Sequence, residues 1–263
     1  MIIILKKELR LNIKAFLVWS IVVGGLGMAC ILLYSSMQGT MKDMADAFSN
    51  MGAFSDAFGM STLSIATIEG YFATEVGVLH SLGGGMFAAI LSIAILSKEE
   101  EGHTGEFLYS LPVSRNMVVA AKSLGVVILL VMFTALCGCL YALGFTFLGE
   151  TIPVREFLIF LAGQLLLDLE IAGICLAISA ISGKNRIGLG LGITLLLYMY
   201  DIIGRVVPSL KEYLFLGPYS YANASVIFSD GDISVGAYVM AACVLVAAVA
   251  FTFTYYDKRD LAS

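Results

Sequence analysis

Residues 117–148 read MVVAAKSLGVVILLVMFTALCGCLYALGFTFL, and Lys122 is the one charged residue in that stretch. A helix that crosses the roughly 30 Å of bilayer hydrocarbon needs about 20 mostly apolar residues. This stretch meets that requirement and therefore predicts a transmembrane helix. The same criterion applied to the whole chain predicts six spans, at about 15–36, 76–97, 117–148, 157–182, 187–207 and 235–256.

The overall composition supports an all-α integral membrane protein. The 263 residues are 59% hydrophobic and 13% charged, whereas soluble domains average about 45–50% apolar and about 25% charged residues. This difference excludes an ordinary soluble enzyme domain. The 15 basic and 20 acidic residues give a net charge of −5, so the chain lacks the basic surface that a nucleic-acid-binding protein needs.

The distribution of lysine and arginine predicts the orientation in the membrane. With six spans, the two termini and the loops after spans two and four share one side, which carries eleven of the 15 basic residues. The other side carries four. Because cytoplasmic loops carry an excess of Lys and Arg, we expect both termini to be cytoplasmic.

Three segments outside the spans have an amphipathic or aromatic pattern. Residues 1–14 mix apolar and basic side chains and predict a helix on the cytoplasmic membrane surface, which either anchors in lipid or contacts a cytoplasmic partner. Residues 41–58 predict an amphipathic helix on the external side. Residues 211–228, which Pro218 divides, predict a short helix that dips into the membrane from outside. Its tyrosines would lie at the membrane interface; they are Tyr213, Tyr219 and Tyr221.

The loop after span two, residues 98–115, reads KEEEGHTGEFLYSLPVSR. Thr104 can cap a short helix with an apolar ridge, Pro112 ends that helix, and Ser114 caps the next span. An apolar ridge that a short loop holds in the cytoplasm suggests docking into a groove of another protein. An ordinary structural loop is the alternative.

Motifs for nucleotide binding or catalysis are missing from the sequence. No GxxxxGK[ST] pattern occurs, and the nearest string, Ser182-Gly183-Lys184, lacks the upstream glycine loop. We therefore expect no catalytic residue, no metal site and no cofactor bound by this chain. The glycines at 83–85 and at 188, 190 and 192 predict close contacts between helices, Gly188 and Gly192 having GxxxG spacing.

The loop resembles the signature loop of permease subunits of type-two ATP-binding-cassette (ABC) exporters, in the form E-E-G-x-x-x-E-x-L-x-S-L-P-V-S-R. Three further segments are similar to that family: the amphipathic N-terminal segment, the basic Lys184–Arg186 turn before a glycine-rich span, and the C-terminal stretch Tyr256–Leu261. The resemblance covers residues 1–263 as a single transmembrane domain. It implies a dimer of permeases, homomeric or heteromeric, in the plasma membrane, with ATP and Mg²⁺ bound by separate ABC ATPase subunits.

The resemblance further implies that residues 104–111 form a coupling helix that docks on the ATPase. Residues 1–14 would then be a connecting helix at the membrane surface. The residues expected to serve the coupling are Glu99, Glu101, Gly102, Glu106, Phe107, Leu108, Leu111, Pro112 and Arg115.

Polar residues inside the spans give a second set of candidates. A charged side chain at a helix centre costs about 2.5–3.5 kcal/mol on insertion scales, so lipid-facing positions are excluded. Asp201 and Arg205 are four residues apart and can pair. Gln164, Asp168 and Asp201 are candidates for a polar translocation path, and buried contacts between helices are the alternative.

Two functions therefore remain open at this point. The first is an ATP-driven exporter permease whose substrate is an amphipathic peptide, drug or lipid-like molecule. The second is a self-sufficient carrier or channel that uses Asp168, Glu170 and Asp201 to relay protons or cations. The apolar ridge at 107–111 favours the first function, because a self-sufficient carrier does not need it.

Overall fold

The computed structural model describes residues 1–104, 112–230 and 235–259, and within those ranges it contains helices and no strand. Six helical segments are long and apolar enough to cross a membrane, which confirms the predicted number. They are α1 (Ile2–Ser49), the segment Ile68–Ile93, α6 (Arg115–Leu148), α7 (Val154–Ile181), α8 (Ile187–Val206) and α11 (Val235–Lys258). The segment Ile68–Ile93 begins with α3 (Ile68–Tyr71) and ends with α4 (Val78–Ile93).

Shorter helices connect these spans. They are α2 (Ala53–Phe58), α5 (Lys98–Glu101), a 3₁₀ helix (Pro208–Leu216), α9 (Pro218–Tyr221) and α10 (Ala224–Asp230). The start of α6 follows the prediction, because the Ser114 hydroxyl accepts a hydrogen bond of 3.3 Å from the Met117 amide. The left-handed Gly149 (φ 79°) ends the same helix.

The first helix differs from the prediction. Residues 1–14 are not a separate surface helix: they are the first turns of α1, which continues to Ser49. No proline interrupts this stretch, and Glu8 is held by ion pairs to Lys98 and Lys122 inside the protein. The predicted external helix at 41–58 is likewise divided, because Gly52 adopts a positive φ of 60° between α1 and α2.

The helix that contains the second predicted span begins at Ile68, eight residues before that span, and includes a π-helical segment, Phe72–Gly77, between α3 and α4. Phe72 is fully buried in this segment. Five aromatic rings surround it at centroid distances of 5.4–6.1 Å; they belong to Tyr141, Phe145, Phe157, Phe160 and Phe228. The π-helical segment therefore lies at the centre of the aromatic core.

The region after α8 is also more deeply buried than expected. Pro218 starts the short helix α9, as the sequence predicts. Tyr219 and Tyr221 are 3% and 4% exposed and therefore lie inside the protein, whereas Tyr213 is exposed. The reason is that α9 packs against α7, α8 and α11 and turns both rings into the protein.

Glycines permit close approaches between spans. A Cβ at Gly27 of α1 would lie 2.4 Å from the Tyr141 ring, and a Cβ at Gly84 of α4 would lie 2.7 Å from Asp168 Oδ1. In α8, the contact within the chain is made by Gly190, which lies against Ile93. The expected contacts of Gly188 and Gly192 are not seen, since no described atom lies within 4 Å of the Cβ that either would carry.

Candidate functional site

Lys122, the lone charge in the stretch 117–148, is buried near the start of α6 and is 1% exposed. Its ammonium lies 2.9 Å from Glu99 Oε1 and 3.3 Å from Glu8 Oε1, and it donates a hydrogen bond of 2.7 Å to the Ile95 carbonyl. Glu8 also pairs with Lys98. Opposite charges and a carbonyl thus compensate an ammonium that would otherwise be very costly to bury.

Glu99 lies in α5, just beyond the end of span two, and is 6% exposed. Burial on its own would raise the pKa of this carboxyl. The Lys122 ammonium and a hydrogen bond donated by the Thr104 hydroxyl outweigh burial and lower the pKa from 4.5 to about 2. Glu99 is therefore a carboxylate at any physiological pH.

The next two residues contact other parts of the chain. Glu100 Oε2 accepts a hydrogen bond of 2.8 Å from Arg259, which follows the end of α11. Arg259 also donates to the Ala180 carbonyl at 2.7 Å, in the last turn of α7. Glu101 Oε2 accepts a hydrogen bond of 3.0 Å from the backbone amide of Asn185, just before α8.

Glu99, Glu100 and Glu101 together form what we call the glutamate cluster. Three consecutive carboxylates connect α5 to both ends of the sequence and to the starts or ends of α6, α7, α8 and α11. The charge-assisted hydrogen bonds of a carboxylate are the strong ones, so these contacts hold α5 against the ends of several spans.

A second group of polar side chains lies within the spans. Asp168 is fully buried, and neither of its carboxyl oxygens has a hydrogen-bond partner in the described part of the chain. Gln164, one turn away, donates to the Ala222 carbonyl at 2.7 Å. Glu170 accepts a hydrogen bond of 2.6 Å from the Tyr221 hydroxyl. The predicted pair of Asp201 and Arg205 is present as two hydrogen bonds of 2.8 and 3.0 Å.

The described residues contain no group of three or more His, Cys, Asp or Glu side chains that could hold a metal ion. A comparison with protein-family models matches residues 2–261 to the model described as ABC-2 family transporter protein. The chain belongs to the ABC-2 transporter family. No curated protein matches the chain significantly.

Membership of the ABC-2 family confirms the resemblance seen in the loop sequence. The chain is a multi-pass membrane protein of a family of transporter permeases, which supports a role in transport. In the ABC-2 family the membrane component is not itself the ATPase, and an ABC ATPase is in general its partner.

The structure describes five of the nine residues expected to couple this ABC-2 protein to an ATPase. Glu99 and Glu101 belong to the glutamate cluster, and Gly102 follows it directly. Pro112 is exposed, and the Arg115 guanidinium donates to the backbone carbonyls of Asp257 and Arg259. The other four lie outside the described residues; they are Glu106, Phe107, Leu108 and Leu111.

The sequence reasoning missed Lys122 and Arg259, which pair with the glutamate cluster, and Glu8, which shares Lys122 with Glu99. It also left Glu100 out of the candidate residues. A signal for Lys122 was available, because a single charge in a long apolar helix requires a buried partner. No comparable signal identified Arg259, since basic residues at the end of a final span are common on the cytoplasmic side.

Proposed function

We propose that this ABC-2 protein is the permease subunit of an ATP-driven exporter. Two permease subunits would form the translocation path, and separate ATPase subunits would dock beneath them in the plasma membrane. Family membership supports the transport role, and the excess of basic residues at the termini supports a cytoplasmic location of the docking side.

The glutamate cluster is the observation that carries this proposal. It lies immediately before the loop that carries the apolar ridge, and it connects that loop to α1, α6, α7, α8 and α11. An ATPase that moves residues 104–111 would therefore displace the ends of several spans together. Such a connection is what alternating access driven by a docked partner requires.

An amphipathic peptide, drug or lipid-like molecule is the substrate class that we propose. The exposed sides of the spans are rich in Leu, Val, Ile and Phe, and such a molecule could enter the protein laterally from the bilayer. Gln164, Asp168 and Asp201 remain the polar candidates for the path. All three are buried in this conformation, so a second conformation would have to expose them.

Assembly with the ATPase tests the proposal. The tagged chain would be purified in mild detergent from its own cells, and Mg²⁺-dependent ATP hydrolysis and the presence of a P-loop polypeptide would be measured in the eluate. We expect both in the wild type. We expect Phe107→Glu combined with Leu108→Glu to remove both, because two charges at an apolar ridge prevent it from packing into a groove.

Met51→Glu is the matched control, since Met51 is an exposed apolar residue in the turn between α1 and α2. That turn lies at the opposite end of the spans from the glutamate cluster. The control should retain the hydrolysis and the P-loop polypeptide. Undiminished hydrolysis in the double variant, with normal yield in the membrane, would contradict the proposal.

A further inference from the structure

A cavity of about 550 Å³ lies between α1, α4 and the segment around α2, at a distance from the glutamate cluster. Its lining is apolar and aromatic, with Trp19 on α1 and Phe54 and Phe58 on α2. The two phenylalanine rings pack at a centroid distance of 5.0 Å. A concave, largely apolar space with few polar groups is the usual form of a site for a small organic molecule.

Glu75 is the one charged residue in the described lining of this cavity. Its side chain is exposed and makes no hydrogen bond or ion pair within the described part of the chain. It belongs to the π-helical segment Phe72–Gly77, a kind of irregularity that is frequent at functional sites. A carboxylate on a membrane-spanning segment is costly without a partner of opposite charge.

The position of Glu75 gives the cavity one charged end and a long apolar body. Met86, also in the lining, follows Glu75 by eleven residues on the same segment, which corresponds to roughly 16 Å along a helix. Trp19 lines the cavity at the Met86 end, where it stacks on Phe87. Aromatic faces attract organic cations, as the carboxylate does.

We propose that this cavity binds an elongated amphiphilic organic cation, with its cationic head on the Glu75 carboxylate and its apolar tail toward Trp19. A bare metal ion does not fit, because one carboxylate in an apolar lining offers too few oxygen ligands. The inference rests on the proposed function, for which it names the substrate class.

Trp19 is the single tryptophan of the chain, so its fluorescence reports on this cavity. The full-length protein in lipid nanodiscs would be titrated with 12-bromododecyl-trimethylammonium, whose bromine quenches a tryptophan near the tail. We expect saturable quenching in the wild type. Glu75→Gln should weaken the affinity about tenfold or more, since it removes the charge and keeps the shape.

Glu69→Gln is the control variant, because Glu69 lies in the same span but outside the cavity lining, and it should leave the affinity unchanged. The anionic analogue 12-bromododecanoate should quench without saturation and equally in all three proteins. Equal affinity of the cation for the wild type and Glu75→Gln would overturn the inference, and so would saturable binding of the anion. The ATPase is absent from this titration, so its result is independent of the assembly experiment.

Discussion

Replacing Glu99 by glutamine removes the carboxylate that lies 2.9 Å from the buried Lys122 ammonium and retains the shape of the side chain. Glu8 still compensates part of the charge, at 3.3 Å. We therefore expect Glu99→Gln to lower the free energy of unfolding by about 2 kcal/mol. This is less than the loss expected when a buried ion loses its only partner. Unfolding in mixed micelles measures the change. Glu156→Gln, at an ion pair of 3.9 Å with the exposed Arg155, should change it by less than about 0.5 kcal/mol.

The pH dependence of this difference follows from the pKa of Glu99. The folded protein holds that pKa at about 2, below the ordinary 4.5, so the ionised carboxylate stabilises the fold above about pH 5. The contribution is lost as the pH falls from there toward 2. The stability difference between the wild type and Glu99→Gln should therefore be constant between pH 6 and 8 and should shrink in acid. A difference that grows on acidification would contradict the assignment.

Replacing Asp168 tests whether its buried carboxyl group lowers the free energy of unfolding of the protein. Its two carboxyl oxygens lack hydrogen-bond partners in the described part of the chain. We therefore expect Asp168→Asn to raise the free energy of unfolding by about 1 kcal/mol. Glu170→Leu should lower it by a similar amount, because leucine leaves the buried Tyr221 hydroxyl without the acceptor that Glu170 provides. Destabilisation by Asp168→Asn would show that the carboxylate has a structural partner, which would contradict its proposed place in a path.

At the scale of elements, the packing of α1 on α6 depends on glycine. A Cβ at Gly27 would lie 2.4 Å from the Tyr141 ring, whereas a Cβ at Gly25 would have no described atom within 4 Å. We expect Gly27→Ala to lower the thermal stability by the equivalent of about 1–3 kcal/mol, as overpacking does. Gly25→Ala should be neutral or slightly stabilising because alanine favours helix. Equal melting temperatures for the two variants would show that α1 and α6 are further apart at Gly27 than this close contact requires.

The sequence predicted the existence of the spans better than their ends. Apolar length determines whether a span exists, and all six were found. The ends depend on tertiary contacts: α1 begins at Ile2 because Glu8 has buried partners, and the second span begins at Ile68 because Phe72 fills an aromatic core. A hydrophobic pattern contains no information about such distant partners, which is why it does not predict that these two helices extend beyond the apolar stretches.

At the scale of the whole molecule, the sequence indicated where the candidate site lies but not how it is connected. The loop motif directed attention to Glu99 and Glu101. The partners of the cluster lie at residues 122, 185 and 259, and Glu8 joins them through Lys122; only folding brings these positions to one place. In the proposed function, the glutamate cluster therefore transmits motion from a docked ATPase to the spans.

A nucleotide-dependent distance measures that transmission directly. Nitroxide labels at Met51→Cys and Tyr213→Cys, two exposed positions, would report on the far ends of the spans in the permease–ATPase complex, with the reactive native cysteines replaced. We predict that ATP and vanadate change this distance in the otherwise wild-type complex. With all three glutamates of the cluster replaced by glutamine, ATP should still be hydrolysed and the distance should stay fixed. The same distance change in the triple variant and the wild type would contradict the account.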